Sequence, residues 1–215
     1  MHWRKKLLQK SKLYVVLDAH VAPYPKLFTI AQKAVRGGAD ILQLRDKEGN
    51  AQDILRFIRR LKKWSGPKTL VIVNDRVDLA YLSPADGVHV GQQDVSVADA
   101  RKILGRDKLI GLSCQNSRHL RLAEESRADY IGFGSVFKTK TKPGRSPMAL
   151  SRLRRALRQT QRPLFAIGGI DRRNLAKVLA CGVRRVALTR AILNSRSPEE
   201  TARSLKTVLA EYEAV

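Results

Sequence analysis

One pattern repeats eight times along this chain: a short β-branched run, then a longer stretch whose apolar residues recur at helical spacing. The expected strands are Lys12–Asp18, Ile41–Arg45, Thr69–Asn74, Gly87–Val90, Leu109–Ser113, Tyr130–Gly134, Pro163–Ile167 and Arg185–Leu188. Between them lie helix-patterned segments. In Ala51–Trp64, for example, Ile54, Leu55, Ile58 and Leu61 share one face; Pro147–Gln159 and Arg172–Ala180 follow, and Pro198–Tyr212 closes the series. Such alternation implies a parallel sheet with helices outside it, because a parallel neighbour is reached only by a crossover. Eight uninterrupted units predict the α/β class and a single (β/α)8 TIM barrel over residues 12–215. An open doubly wound sheet is disfavoured, since the first strand–helix turn, Asp18-Ala19-His20-Val21-Ala22, has no Gly-x-Gly-x-x-Gly. Residues 1–11 read as a basic N-terminal extension with a leading helical turn.

Lys and Arg number 42 against 19 Asp and Glu, a formal net charge of +23. That excess attracts polyanions. No RNA-binding aromatic motif or zinc-finger spacing accompanies it, and much of it falls on outer helix faces. Nucleic-acid binding is therefore expected to be non-specific at most, although a non-enzymatic basic barrel of that kind is a competing reading. No apolar run approaches the roughly 20 residues that span a bilayer. The basic start, Met1 to Leu8, reaches no apolar signal core, so the chain reads as soluble and cytoplasmic. Cys114 and Cys181 have no metal or redox spacing and read as small buried hydrophobes.

In a barrel of this type chemistry gathers at the C-terminal strand ends. The second strand ends in Gln43, Arg45 and Lys47, which alternation places on one inward face. The third ends in Asn74-Asp75, and the loop after the fourth holds Gly91-Gln92-Gln93-Asp94. The fifth ends in Ser113, Lys138-Thr139-Lys140-Thr141-Lys142 follows the sixth, and Gly168-Gly169 ends the seventh. Each has an ordinary use: a helix cap, a solvated loop, a tight turn. Their shared rim argues for a site. Asp75 and Asp94, from adjacent loops, suit one hard cation such as Mg2+. Arg45, Lys47 and Lys142 suit a pyrophosphate. Gly168-Gly169 lies where this fold usually holds a phosphate. There is no Ser-His-Asp set, and His2, His20, His89 and His119 are read as lying away from strand ends.

These segments resemble the thiamine phosphate synthase family from about Leu13 to Ala210. The matching motifs are Gln43-Leu44-Arg45-Asp46-Lys47, Val73-Asn74-Asp75-Arg76-Val77-Asp78-Leu79-Ala80, Ala85-Asp86-Gly87-Val88-His89-Val90-Gly91-Gln92-Gln93-Asp94, Ala128-Asp129-Tyr130-Ile131-Gly132-Phe133-Gly134, Thr139-Lys140-Thr141-Lys142 and Ala166-Ile167-Gly168-Gly169-Ile170. The resemblance implies a (β/α)8 barrel that joins a hydroxymethylpyrimidine pyrophosphate to a thiazole phosphate by a Mg2+-assisted dissociative route. It implies that Gln43, Arg45, Lys47, Asn74, Ser113 and Lys142 bind the pyrimidine pyrophosphate. Asp75 and Asp94 would hold Mg2+, and Thr139, Thr141, Gly169, Thr189 and Arg190 would contact the thiazole phosphate. Arg45, Lys47, Ser113 and Lys142 are the catalytic set on this reading. Homo-oligomerisation stays open. Three positions depart from the family pattern: Ser113-Cys114-Gln115-Asn116, Lys138 where proline is usual, and Arg190 where serine is usual. The related thiazole tautomerases use a histidine in the loop that here holds Gln115, and they tend to lose the aspartate kept here as Asp94.

Overall fold

A computed structural model describes residues 2–139 and 146–212. Its elements are α1 (Trp3–Lys10), β1 (Leu13–Asp18), α2 (Tyr24–Arg36), β2 (Ile41–Arg45), α3 (Ala51–Ser65), β3 (Leu70–Asn74), α4 (Val77–Tyr81), β4 (Gly87–Val90) and α5 (Val97–Leu104), followed by β5 (Leu109–Cys114), α6 (Ser117–Glu125), β6 (Tyr130–Phe133), α7 (Leu150–Arg158), β7 (Leu164–Ile167), α8 (Leu175–Leu179), β8 (Val186–Leu188), α9 (Arg190–Leu193) and α10 (Pro198–Glu211). The strands pair in sequence order, and β1 pairs with β8 in parallel, so the (β/α)8 barrel is closed. No helix among the described residues is long and apolar enough to cross a membrane.

Strand alternation sorts the apolar side chains into two clusters. Tyr14, Val16, Ile41, Ile72, Tyr130 and Phe165 belong to the cluster that fills the lumen. Val15, Leu17, Leu42, Leu44 and Val73 belong to the other, shared with helix residues such as Leu27, Ile58 and Leu61. The bottom of the lumen is capped by α1, whose Leu8 is 1% exposed and joins the lumen cluster. The segment read as an extension thus forms a seated helix. Burying one leucine in this way stabilises by about 1.5–3 kcal/mol.

A repeated device fixes the N-terminal strand ends. Ala39-Asp40, Ala85-Asp86 and Ala128-Asp129 immediately precede β2, β4 and β6. The Asp40 carboxylate accepts from the Lys12 and Leu13 amides, Asp86 from Val71, and Asp129 from Ile110. Each aspartate therefore clasps the odd-numbered strand before its own. Cations complete each site: Lys206 at Asp40, Arg4 and Lys62 at Asp86, Lys5 and Arg101 at Asp129. Arg4 and Lys5 tie α1 to this ring.

Two expected helices are shorter in the structure, α7 starting at Leu150 and α8 at Leu175. Residues 147–149 stay outside the helix, and the Met148 amide donates to the Ser135 carbonyl across to the end of β6. The short α9 has no counterpart among the expected helices; it starts where Thr189 leaves the strand conformation at φ −117°, ψ −89°.

Candidate active site

The C-terminal strand ends surround about 1030 Å³ of space continuous with solvent. Gln43, Arg45, Asn74, His89 and Ser113 line one side, and Thr139, Gly168, Gly169, Thr189 and Arg190 the other. The structure thus brings most of the expected site residues to one cavity. Lys47, Asp75 and Asp94 stand at the rim rather than on the cavity wall. Thr141 and Lys142 lie outside the described residues.

Arg45 ends β2, and register places it beside Asp18 at the end of β1. Its Nη1 donates to Asp18 Oδ2 at 2.8 Å, with both residues buried, while its buried Nε makes no hydrogen bond among the described residues. That carboxylate compensates the buried guanidinium's charge and leaves it a donor unused among the described residues. The sequence reading missed Asp18, although its spacing of two from Val16 and four from Tyr14 marks the same inward face. Lys47 corrects the expectation that all three β2 positions point inward. The strand stops at Arg45, and Lys47 swings out, half exposed, to lie 3.5 Å from Asp75.

Asp75 follows β3 in a tight turn, with the Arg76 amide donating to the Asn74 carbonyl and φ at +61°. Among the described residues it is the only non-glycine at positive φ. Aspartate tolerates this region, at a cost of order 1 kcal/mol. Asp94 is oriented by the Gly91 amide at 2.6 Å, and its carboxylate lies within hydrogen-bonding reach of Asp75. Burial, then the adjoining Asp94 carboxylate, push the Asp75 carboxyl above its ordinary value, while Lys47 opposes them. Two like charges held together favour a bound cation. Among the described residues no group of three or more His, Cys, Asp or Glu gathers; a pair of carboxylates is the donor set Mg2+ commonly accepts from protein.

A polar chain crosses the lumen. Gln43 Nε2 donates to Tyr14 Oη at 2.8 Å, Tyr14 and Tyr130 hydroxyls lie 3.0 Å apart, Tyr130 Oη is 3.3 Å from His89 Nδ1, and His89 Nε2 is 2.9 Å from Ser113 Oγ. Burial raises both tyrosine pKa values, so both are neutral phenols. With Gln43 donating first, one proton order satisfies the chain: Tyr14 donates to Tyr130, Tyr130 to His89 Nδ1, and His89 Nε2–H to Ser113. The Ser113 hydroxyl proton is then left to face the cavity. His89 corrects the expectation for the histidines, being the penultimate residue of β4 and on the cavity wall. Room for its ring comes from Gly111, where a Cβ would meet Tyr130 Cζ at 2.2 Å and His89 Nδ1 at 2.5 Å. Cys114 faces away into the outer core, and burial pushes its thiol up to about 12, which removes it as a nucleophile.

Across the mouth, Gly168 and Gly169 have φ of +106° and +62°, and a Cβ on Gly169 would meet the Lys138 carbonyl oxygen at 2.5 Å. Only glycine fits that turn. Arg190, half-buried at the start of α9, lines the cavity with a buried Nε that has no hydrogen-bond partner among the described residues.

A family model described as thiamine monophosphate synthase matches residues 13–192. A thiamine-phosphate synthase of Thermosynechococcus vestitus is 41% identical over 98% of this chain, which spans 59% of that protein's length. One from Halalkalibacterium halodurans is 35% identical over 95% of this chain and 98% of its own. Among solved structures, a thiamine phosphate pyrophosphorylase from Pyrococcus furiosus superposes with a TM-score of 0.84 at 31% identity, covering 96% of this chain and 98% of that one.

Proposed function

The chain belongs to the thiamine monophosphate synthase family, and on that premise we propose that it makes thiamine phosphate, in the cytoplasm, from two small-molecule substrates. The methylene carbon of 4-amino-2-methyl-5-hydroxymethylpyrimidine pyrophosphate would lose its bond to the pyrophosphate oxygen. It would gain one to the ring nitrogen of 4-methyl-5-(2-phosphoethyl)thiazole, and pyrophosphate would leave.

One observation carries this reading: a single cavity has Arg45 on one side, with Lys47 and the paired carboxylates at the rim beside it, and a glycine turn with Arg190 on the other. That division suits a pyrophosphate and a monophosphate bound across from each other. On the first side Arg45, held by Asp18, and Lys47 would take the charge that builds on the leaving group. Gln43, Asn74 and the Ser113 hydroxyl would orient the pyrimidine. Asp75 and Asp94 would hold Mg2+, which when bound adds positive charge for the pyrophosphate oxygens. Opposite them, Thr139, Gly169, Thr189 and Arg190 would fix the thiazole phosphate so that its nitrogen lies in line with the methylene carbon. Thr141 and Lys142 are assigned to the same two groups from the family pattern alone. A dissociative order, with departure of pyrophosphate before attack, suits a mouth built to stabilise a leaving anion and without a poised nucleophile.

The test is an assay with both substrates and purified protein, following thiamine phosphate by fluorescence after oxidation. Product should form with Mg2+ and stop on chelation. Absence of product with both substrates and Mg2+ would overturn the assignment.

A further inference from the structure

The positive charge of this chain is unevenly placed. Residues 146–196 hold twelve Lys and Arg against one carboxylate, Asp171, so about half of the net +23 lies in under a quarter of the length. Residues 12–104 hold fifteen against ten. A generally basic composition would spread the excess along the chain; here one stretch concentrates it, and α7 alone carries four of its arginines.

Helix α7 buries Leu153 and Ala156 and exposes Arg152, Arg154, Arg155 and Arg158. Arg152 and Arg155 line a groove against α6 together with Arg118, Asn116 and Ser117, over Leu120 and Phe133. Arg154 turns the other way, its Nη2 3.5 Å from the Ala180 carbonyl at the end of α8. Exposed Lys177 and Arg173 extend the surface across α8. Arg118, Arg152, Arg155 and Arg158 make no ion pair among the described residues. The helix has no acidic residue in its first turn and no side-chain cap, and its arginines stand at i,i+3 and i,i+4, where like charges repel. Arg155 and Arg158 in the last turn suit the helix dipole, but a helix that served only to cover the barrel would not need four arginines without an ion pair among the described residues.

We propose that the α6–α7–α8 face is a docking surface for the phosphodiester backbone of a nucleic-acid duplex, separate from the barrel mouth. Six of the seven cations named on this face are arginine, whose planar fork pairs bidentately with phosphate. The face is extended, as a backbone is, and its groove presents three guanidinium groups together. Helix α7 exposes no large apolar side chain, so it lacks the outward apolar face that an interfacial membrane helix needs. It also offers no aromatic platform for unstacked bases, which favours a duplex over a single strand.

The test uses the full chain and a fluorescein-labelled 20-base-pair DNA duplex, with anisotropy measured over a salt series. Arg152→Gln, Arg155→Gln and Arg158→Gln are combined in one variant. A control variant removes the same charge from the α3 side through Arg59→Gln, Lys63→Gln and Lys68→Gln. At 0.1 M salt the α7 variant should bind at least roughly tenfold more weakly. Its log–log salt slope should fall by roughly two to three, since each phosphate no longer neutralised removes about 0.9. The control should lose much less. Amide hydrogen exchange on the wild-type chain should show duplex-dependent protection in α6 and α7. Equal loss in both variants would make the attraction one of bulk charge and overturn the proposal. So would protection confined to other elements, no duplex binding at 0.1 M salt, or capture by phosphatidylglycerol vesicles that duplex does not compete away.

Discussion

Two carboxylates within reach of each other at the rim of a basic barrel are costly unless something positive joins them. Asp75 is held above the ordinary carboxylate range by burial first and by Asp94 next. A carboxyl raised in the folded state binds its proton more tightly there than in the unfolded chain. Its ionisation therefore weakens the fold as pH rises through the folded pKa. Asp94→Asn removes the repulsion, so in metal-free protein the variant should melt higher than wild type at neutral pH. The difference should shrink as the pH falls through the carboxylate range; scanning calorimetry with a chelator present reads it directly, and a variant that melts lower would contradict the pairing. The same substitution should lower kcat/KM by roughly a hundredfold or more, because several kcal/mol of charge stabilisation are lost. Arg190 carries the second expectation at this scale. Its guanidinium lines the mouth with a donor unused among the described residues, so Arg190→Ser should raise KM for the thiazole phosphate by about tenfold, the equivalent of ~1.4 kcal/mol. KM for the pyrimidine pyrophosphate should hardly move. Steady-state kinetics with each substrate varied in turn separates the two; equal rises would point to general damage. The strand-end residues are legible in the sequence because the fold class says where to look. The partners of Asp18 and His89 are not. What each touches depends on the register with a neighbouring strand, Asp18 against Arg45 and His89 against Asn74, and no single strand carries that information.

At the scale of elements, the bottom of the barrel is held as firmly as the top is opened. Asp86 is fully buried, accepts from the Val71 amide, and takes Arg4 from α1 and Lys62 from α3. One side chain thus joins β3, β4 and two helices. Removing one member of such a network leaves buried charge and a buried amide without partners, which typically costs about 3–5 kcal/mol. Asp86→Ala should accordingly lower Tm by about 6 °C or more, given roughly 2–4 °C per kcal/mol for a chain of this size. Solvent-exposed Asp107→Ala should leave Tm nearly unchanged in the same calorimetric comparison, and a similar loss in both variants would count against the clasp. The signal for this device is present in the sequence as three Ala-Asp dipeptides, each directly before an expected strand. It is hard to read there because an aspartate beside a strand is ordinarily a turn residue. Only pairing shows that each carboxylate reaches the amide of the preceding odd strand. The seating of α1 is equally hidden: Trp3–Lys10 is mostly basic and polar, and it is seated by buried Leu8 with partly buried Leu7 beside it.

For the whole molecule, closure is legible because each βα unit announces itself by a change of period, and eight such changes leave little room for another topology. The lumen's contents are less so, since Tyr14, Gln43, Tyr130 and His89 become a chain only after closure brings opposite strands together. Net charge acts at this scale as well. With +23 on 215 residues, repulsion among exposed cations opposes compaction. The attractive pairs that matter most are sheltered: Asp18, Asp86 and Asp129 have side chains at most 6% exposed, whereas repelling arginines such as Arg152, Arg155 and Arg158 stand in solvent. Salt screens exposed charges much more than buried ones, with a Debye length of about 10 Å at 0.1 M. Added KCl should therefore remove repulsion faster than attraction, and Tm should rise by a few degrees, roughly 2–4 °C per kcal/mol of relieved repulsion, before levelling once the Debye length falls below the spacing of surface charges. The α7 variant, with three exposed arginines replaced by glutamine, should show a smaller rise because less repulsion remains to screen. A Tm that falls with salt would mean that exposed pairs such as Arg173–Asp171 and Arg76–Asp78 contribute more to the fold than the unpaired cations oppose it.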